Sequence, residues 1–529
     1  MPFTSPLADV EIPNLSVYDY LFSSITPTDL ERTVAIDGAS GAATTYSTLL
    51  GQIDGIAGAL AARGIGVGDV VALHSPNLPI FLAVFHGILR SGATVTTVNA
   101  LNTAEDIASQ LRDSGAKLVF TVSPLVAPAA AAAASVGIGK ESVIVIDGAP
   151  EHPSLGDLLA LDATAPIVTF DPATHLAVLP YSSGTTARPK GVMLTHRNLV
   201  ANVAQAAPLI GVVPEDRLLA VLPFFHIYGM TVLLNLAVYR RAALVTMPKF
   251  DLVEFLRIIQ DQKCTYVFIA PPIALAMAKH PLIDDYDLSS VHTVFSGAAP
   301  LDGGIGAAVA ERLGCRVRQG YGMTEMSPVS HVIPLDRADI PLSSVGVTLP
   351  NMLSKLIDPA TGEEIPVPAS GVSTPGELLC AGPNIMAGYL GNAEATSETL
   401  EADGWLHTGD IATVSAEGFV TVVDRLKELI KYKGYQVAPA ELEAVLISHP
   451  RIADAAVIAG HDDDGEEVPK AFVVLQPGAE LDDQAIIAYV AERVAPHKKV
   501  RQVVMIDSIP KSSSGKILRK DLRTAEVAA

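Results

Sequence analysis

Residues 181–191, YSSGTTARPKG, gather the groups that bind phosphate oxygens. Ser182, Ser183, Thr185 and Thr186 bring hydroxyls, Gly184 an unobstructed backbone and Lys190 an ammonium. A loop so built offers N–H and O–H donors to an anion. The apolar run LAVLPY (176–181) leads into it, and VML leads out to Thr195, a suitable N-cap for HRNLVANVAQ. A hydroxyl-rich turn alone would account for SSGTT; Lys190 and the strand–loop–strand setting favour a polyphosphate. No GK[ST] follows Gly184, and the fifth residue on is Pro189, so a P-loop kinase is excluded.

Other stretches carry chemical potential of their own. Gln319-Gly320-Tyr321-Gly322-Met323-Thr324-Glu325 sets an aromatic between glycines and ends on a Thr–Glu pair. Residues 404–410, GWLHTGD, end in the Asp410 carboxylate, and 424–436, DRLKELIKYKGYQ, alternate cations with apolar residues. Lys516 lies in a basic tail with Lys511, Arg519, Lys520 and Arg523, which could bind anions or simply be solvated. His226 stands in an apolar run, FFHIYGM, where an imidazole is more often a core residue than a reactive one. Each stretch alone could be surface punctuation; their order over one chain is the stronger signal.

These residues need a large scaffold, and the composition supplies one. Of 529 residues, 49% are hydrophobic and 18% charged, which supports three or four core-bearing units rather than disorder. A net charge of −21 repels a phosphate backbone and excludes a general nucleic-acid binder. Cys264, Cys315 and Cys380 show neither CxxC nor Cys/His ligand spacing, so neither a zinc site nor a disulfide framework is expected. The first positive charge is Arg32 and the chain ends EVAA, without signal peptide, prenylation box or peroxisomal tail; a cytoplasmic location is expected. Leu218–Tyr239 is apolar, but Pro223, His226, Gly229 and Asn235 argue for a strand, a turn and a core helix over a membrane span.

Strand-length apolar runs such as VVALHS (70–75), KLVFTV (117–122) and ALVTM (243–247) alternate with helical segments, the pattern of parallel sheets covered by helices. Gly and Pro thicken through 350–390, which reads as a β-rich subdomain with hairpins. Beyond Asp424, helices opening at Pro439 and near Asp482 and Asp483 predict a small separate α+β domain. The expected division is 1–424 and 425–529, with the boundary at 424–427.

Together YSSGTT…PKGV, FFHIYGM, GYGMTE, GWLHTGD, DRLKELIKYKGYQVAPAELE and PKSSSGK resemble the acyl-adenylate-forming superfamily over essentially the whole chain. Within it they look most like 4-coumarate:CoA ligases and bacterial acyl-CoA synthetases. The resemblance implies an ATP- and Mg²⁺-dependent ligase that joins a small carboxylic acid to coenzyme A through acyl-AMP. It implies that Ser182, Ser183, Gly184, Thr185, Thr186 and Lys190 wrap the phosphates, that Thr324 adds a contact and that Glu325 holds the metal. Ser296, Gly297, Ala298, Ala299 and Pro300, with Gln319, Gly320, Tyr321, Gly322 and Met323, would frame the adenine. Asp410 and Arg425, beside Val422, would bind the ribose. Lys516 matches the lysine that reaches from a mobile C-terminal domain to the carboxylate and α-phosphate. Lys427 matches the pivot, and Lys431, Lys433, Gly434 and Gln436 would line the pantetheine path.

For the acyl pocket the resemblance points to His226 near the carboxylate and to Tyr228, Met230, Phe295, Ala298, Gly322, Pro328 and Val329 along the channel. Plant 4-coumarate ligases typically carry lysine where this chain has Phe295, so a phenolic hydroxyl loses a polar handle and cinnamate-like or medium-chain acids are expected too. Ala187 stands where the family usually has glycine. No partner beyond ATP, CoA and the acid is expected, in a monomer or homodimer. The alternatives are loading of the adenylate onto a carrier protein and luciferase-like oxidation.

Overall fold

The computed structural model describes residues 2–182, 189–432, 435–462, 466–512 and 515–528. Ser183, Gly184, Thr185, Thr186, Ala187, Lys433 and Gly434 therefore lie outside the described residues. Two parallel cores dominate. In one sheet, Leu176–Val178, Thr94–Val98, Val70–His74, Ala116–Thr121 and Val143–Val145 run parallel as neighbours. In the other, Arg316–Gly322, Thr293–Ser296, Tyr266–Ile269, Arg217–Ala220, Ala243–Thr246 and Thr33–Asp37 do the same. Strands this apolar must be covered on both faces. Helices Tyr46–Ala62 and Pro79–Arg90 provide cover; the second starts on Pro79 and buries Phe81 through Leu89.

The Gly/Pro-rich stretch forms an antiparallel sheet in the order Phe3–Thr4, Leu353–Ile357, Gly376–Ala381, Leu406–Val414, Val420–Arg425. It extends past the expected 350–390 and recruits a strand from the chain's start. A two-residue strand has no period to read. Leu218–Tyr239 becomes strand Arg217–Ala220, a turn, a π-helix over Tyr228–Asn235 and helix Leu236–Arg240. Among the described residues no helix is long and apolar enough to cross a membrane. From Ile430 onward the chain builds its own cores. Helices Pro439–Ser448 and Asp483–Ala491 accompany strands Ile452–His461, Glu467–Leu475 and Gln502–Met505.

Candidate active site

Parallel strands place ligand-binding loops beyond their carboxyl ends. Ser296 and Gly322 close two adjacent strands of the second sheet, and the turn after Arg217–Ala220 delivers His226. The phosphate-loop candidate is a hairpin whose described arms pair Lys190 with Ser182 and Gly191 with Tyr181. Thr195 caps the following helix, reciprocally with Asn198, as its residue type predicts.

Ser182 and Glu325 meet, with the Ser182 hydroxyl donating to Glu325 Oε1 at 3.2 Å. Glu325 is 5% exposed, and Thr324 beside it is buried. Tyr389, which sequence reasoning missed, donates its hydroxyl to the same oxygen at 2.9 Å, and the Lys190 ammonium sits 4.7 Å from the centre of its ring. Its sequence signal is a bare Gly-Tyr pair outside those motifs. No group of three or more His, Cys, Asp or Glu gathers among the described residues as a metal cage. One buried carboxylate beside hydroxyls suits a Mg²⁺ held chiefly by phosphate oxygens and water.

Asp410 and Arg425 are cross-strand partners, their side chains 3.4 Å apart. The Tyr321 hydroxyl donates to the other Asp410 oxygen at 2.5 Å. Burial raises the Asp410 pKa, opposed first by Arg425 and then by Tyr321 and Lys516. Val422, on the same strand as Arg425, packs half-buried on the main core.

Lys516 comes from the small lobe yet belongs to this cluster. Its ammonium is desolvated, which lowers its pKa; Arg425 pushes the same way, while Asp410 and Glu325 oppose. Gly515 makes the approach possible: its φ is +81°, and a Cβ there would lie 3.2 Å from Ala270 and 3.3 Å from Pro272. The rest of the basic tail is not simply solvated. Lys511 pairs with Asp454, Arg519 with Glu443 and Arg523 with Glu428. Lys431 and Gln436 are cross-strand partners, exposed on the small lobe, and Lys427 is exposed.

His226 feels Lys516 too. Burial first, then that ammonium, lowers its pKa to about 3. Its Nδ1 accepts the Tyr228 N–H at 3.3 Å, which leaves Nε2 as the protonated donor of a neutral ring. The Tyr228 ring lies against Gly297, where a Cβ would come within 2.8 Å of it. Among the described residues the buried Tyr228 hydroxyl and Ser296 Oγ have no hydrogen-bond partner, as groups that await a ligand would. Ala298 holds φ +73°, a strained value for a residue with a side chain. Ala299 is half-buried and Pro300 exposed, and Gln319 ties the loop down by accepting the Leu301 N–H. Phe295 is buried, its ring 5.4 Å from Phe268 and against Gly320, with Arg318 beyond. Met230 is buried in the π-helix. Pro328 accepts the Met323 N–H beside Gly322, and Val329 is buried next to it.

The sequence profile of AMP-binding enzymes matches residues 26–390, and that of the AMP-binding enzyme C-terminal domain matches 441–516. The chain is 42% identical, over 100% of its length and 97% of the relative's, to 4-coumarate–CoA ligase 5 of Oryza sativa subsp. japonica. The fold is similar to ATP-bound MatB from Rhodopseudomonas palustris, with a TM-score of 0.87 and 28% identity over 97% of this chain and 99% of that one. A benzoate CoA ligase from Burkholderia xenovorans gives a TM-score of 0.85 and 25% identity over 96% and 100%. The site, the two lobes and these likenesses together place the chain in the AMP-binding enzyme family, in its 4-coumarate–CoA ligase branch.

Proposed function

We propose that this enzyme ligates an aromatic or medium-chain carboxylic acid to coenzyme A in two steps, in the cytoplasm. First a carboxylate oxygen attacks the α-phosphorus of ATP and pyrophosphate leaves. The CoA sulfur then attacks the carbonyl carbon of the acyl-AMP, AMP departs and the thiol proton passes to solvent. The first step brings anions together, so the site must supply positive charge already in place. Lys516 bridges carboxylate and α-phosphate, and the neutral His226 Nε2–H donates to the acyl carboxylate without titrating near pH 7. Asp410 and Arg425 hold the ribose, and Tyr321 stands beside them at the adenine. Glu325, with Thr324 and Ser182 alongside, would hold Mg²⁺; when bound, that ion would neutralise phosphate charge. Phe295 and Met230 supply apolar wall, so selectivity among acids rests on fit, at about 1–3 kcal/mol per methylene.

The observation that carries this reading is the small lobe's lysine, half-buried next to a glycine that packs on Ala270 and Pro272 and facing charged groups of the large lobe. Lys516→Ala lowers acid-dependent ATP–pyrophosphate exchange by about 10²–10³ and leaves thioester formation from supplied acyl-AMP much less affected. Equal loss in both half-reactions would rule it out. A lysine that fills the site in step one must withdraw before the pantetheine arm arrives. The division is therefore 1–424 and 425–529: the small domain turns about Lys427 and presents Lys431, Lys433, Gly434 and Gln436 to the thioester step.

A further inference from the structure

Strand Val420–Arg425 ends with two charged residues whose side chains leave on opposite faces. Arg425 faces Asp410 and the nucleotide side. Asp424 faces the small lobe. It is 6% exposed; its Oδ2 accepts the Ala440 N–H at 2.8 Å, at the start of helix Pro439–Ser448. Its Oδ1 accepts the Arg425 N–H at 2.7 Å. The charges that face it are Arg519 and Glu428. Arg519 is fixed in turn by Glu443 Oε1 at 2.7 Å and by the Val457 carbonyl at 3.1 Å. Arg519 lies three residues beyond Lys516.

The pivot at Lys427 divides this cluster unequally. Glu428, Ala440, Glu443, Val457, Arg519 and Lys516 all lie beyond it, and Asp424 and Arg425 lie before it. Rotation leaves the Arg519–Glu443 pair intact but breaks the Asp424–Ala440 hydrogen bond and separates Asp424 from Arg519. We propose that Asp424 is a positioning residue that latches the small domain in the adenylating orientation, and so holds Lys516 in the site. The latch rests on the rotation proposed above. It favours one orientation because its contacts exist only there, and differential contacts are what shift a two-state equilibrium.

The test compares both half-reactions in Asp424→Ala: acid-dependent ATP–pyrophosphate exchange, and thioester formation from supplied acyl-AMP and CoA. The ratio of the first rate to the second falls about ten-fold, the scale for losing a buried hydrogen bond to a charged group. That ratio follows the orientation equilibrium whichever orientation dominates at rest. The Michaelis constant for ATP stays within about two-fold, because the Arg425 and Asp410 side chains keep each other although the Arg425 N–H loses its acceptor. Asp424→Asn keeps an oxygen for the Ala440 N–H and loses only the charge that faces Arg519, so its ratio falls less. An unchanged ratio, both rates falling together, or a raised Michaelis constant alone overturns the latch. Lys427→Pro is measured in parallel. If it slows thioester formation alone while Asp424→Ala leaves the ratio unchanged, rotation stands and the latch fails; if it slows neither half-reaction, rotation fails and the latch with it.

Discussion

Asp410 carries a charge that folding disfavours. It is 6% exposed, and burial raises its pKa despite Arg425, Tyr321 and Lys516 around it. A carboxyl whose native pKa exceeds its unfolded one binds protons more readily when folded. Its penalty is therefore absent at low pH, grows as pH rises through the unfolded value near ~4 and is complete above the raised native value. Asp410→Asn keeps an acceptor for the Tyr321 hydroxyl and removes the charge. Its thermal midpoint at pH 8 exceeds the parent's, and the gap closes as pH is lowered toward 4. Its Michaelis constant for ATP rises at least about ten-fold, as expected when a hydrogen bond to a charged group is lost. A midpoint below the parent's at pH 8 would show that the Arg425 pairing outweighs burial. The same tension holds at Lys516, whose charge is also disfavoured by its surroundings.

Elements fix how closely such side chains meet, and here strand ends matter more than helices. Gly297 follows strand Thr293–Ser296 and lies flat against the Tyr228 ring at the start of the π-helix. Gly297→Ala drives a methyl to within 2.8 Å of that ring, which must shift within the proposed acyl pocket. The Michaelis constant for the acid rises at least about five-fold and by more than that for ATP, whose adenine frame Gly297 shares, a loss weighted toward binding of one substrate. Equal rises for both substrates would place Tyr228 elsewhere in the mechanism. The glycine itself was legible in the sequence, as part of SGAAP, and so were Lys516, Glu325, Asp410 and Arg425, because each sits in a long motif whose order carries information. Tyr389 was not legible: it reaches Glu325 through a strand pairing between Gly388–Tyr389 and Lys190–Thr195, two segments about two hundred residues apart. The π-helix was not legible either, since its apolar run fits an ordinary helix equally well. The parallel sheets were foreseeable from alternation, whereas the strand at Phe3–Thr4 owes its existence to an edge supplied by Leu353–Ile357.

Five imidazoles spread through the molecule resist protonation. His86, His196, His226 and His331 are lowered to about 3 and His74 to about 4, with burial the first cause for each. They lie in different places: His86 against Phe22, His331 among Ser330, Thr348 and Ser354, His226 within the field of Lys516. An unfolded chain protonates each near pH 6.5, so between pH 6.5 and about 4 unfolding takes up protons that the native state refuses. A depressed histidine pKa contributes stability that is complete above the unfolded value and is lost as pH falls toward the native one. At pH 5 these five groups add up to about five protons of uptake, each worth ~1.4 kcal/mol per pH unit. Unfolding midpoints in urea, measured from pH 7 to pH 4, should therefore fall steeply well before ordinary carboxylates begin to protonate. His86→Leu removes one such group from a site where neither ring nitrogen has a partner among the described residues, and it flattens the curve by about one proton. A parent midpoint that stays level down to pH 5, or a variant whose slope matches the parent's, would mean that these rings open to solvent and charge while the protein remains folded.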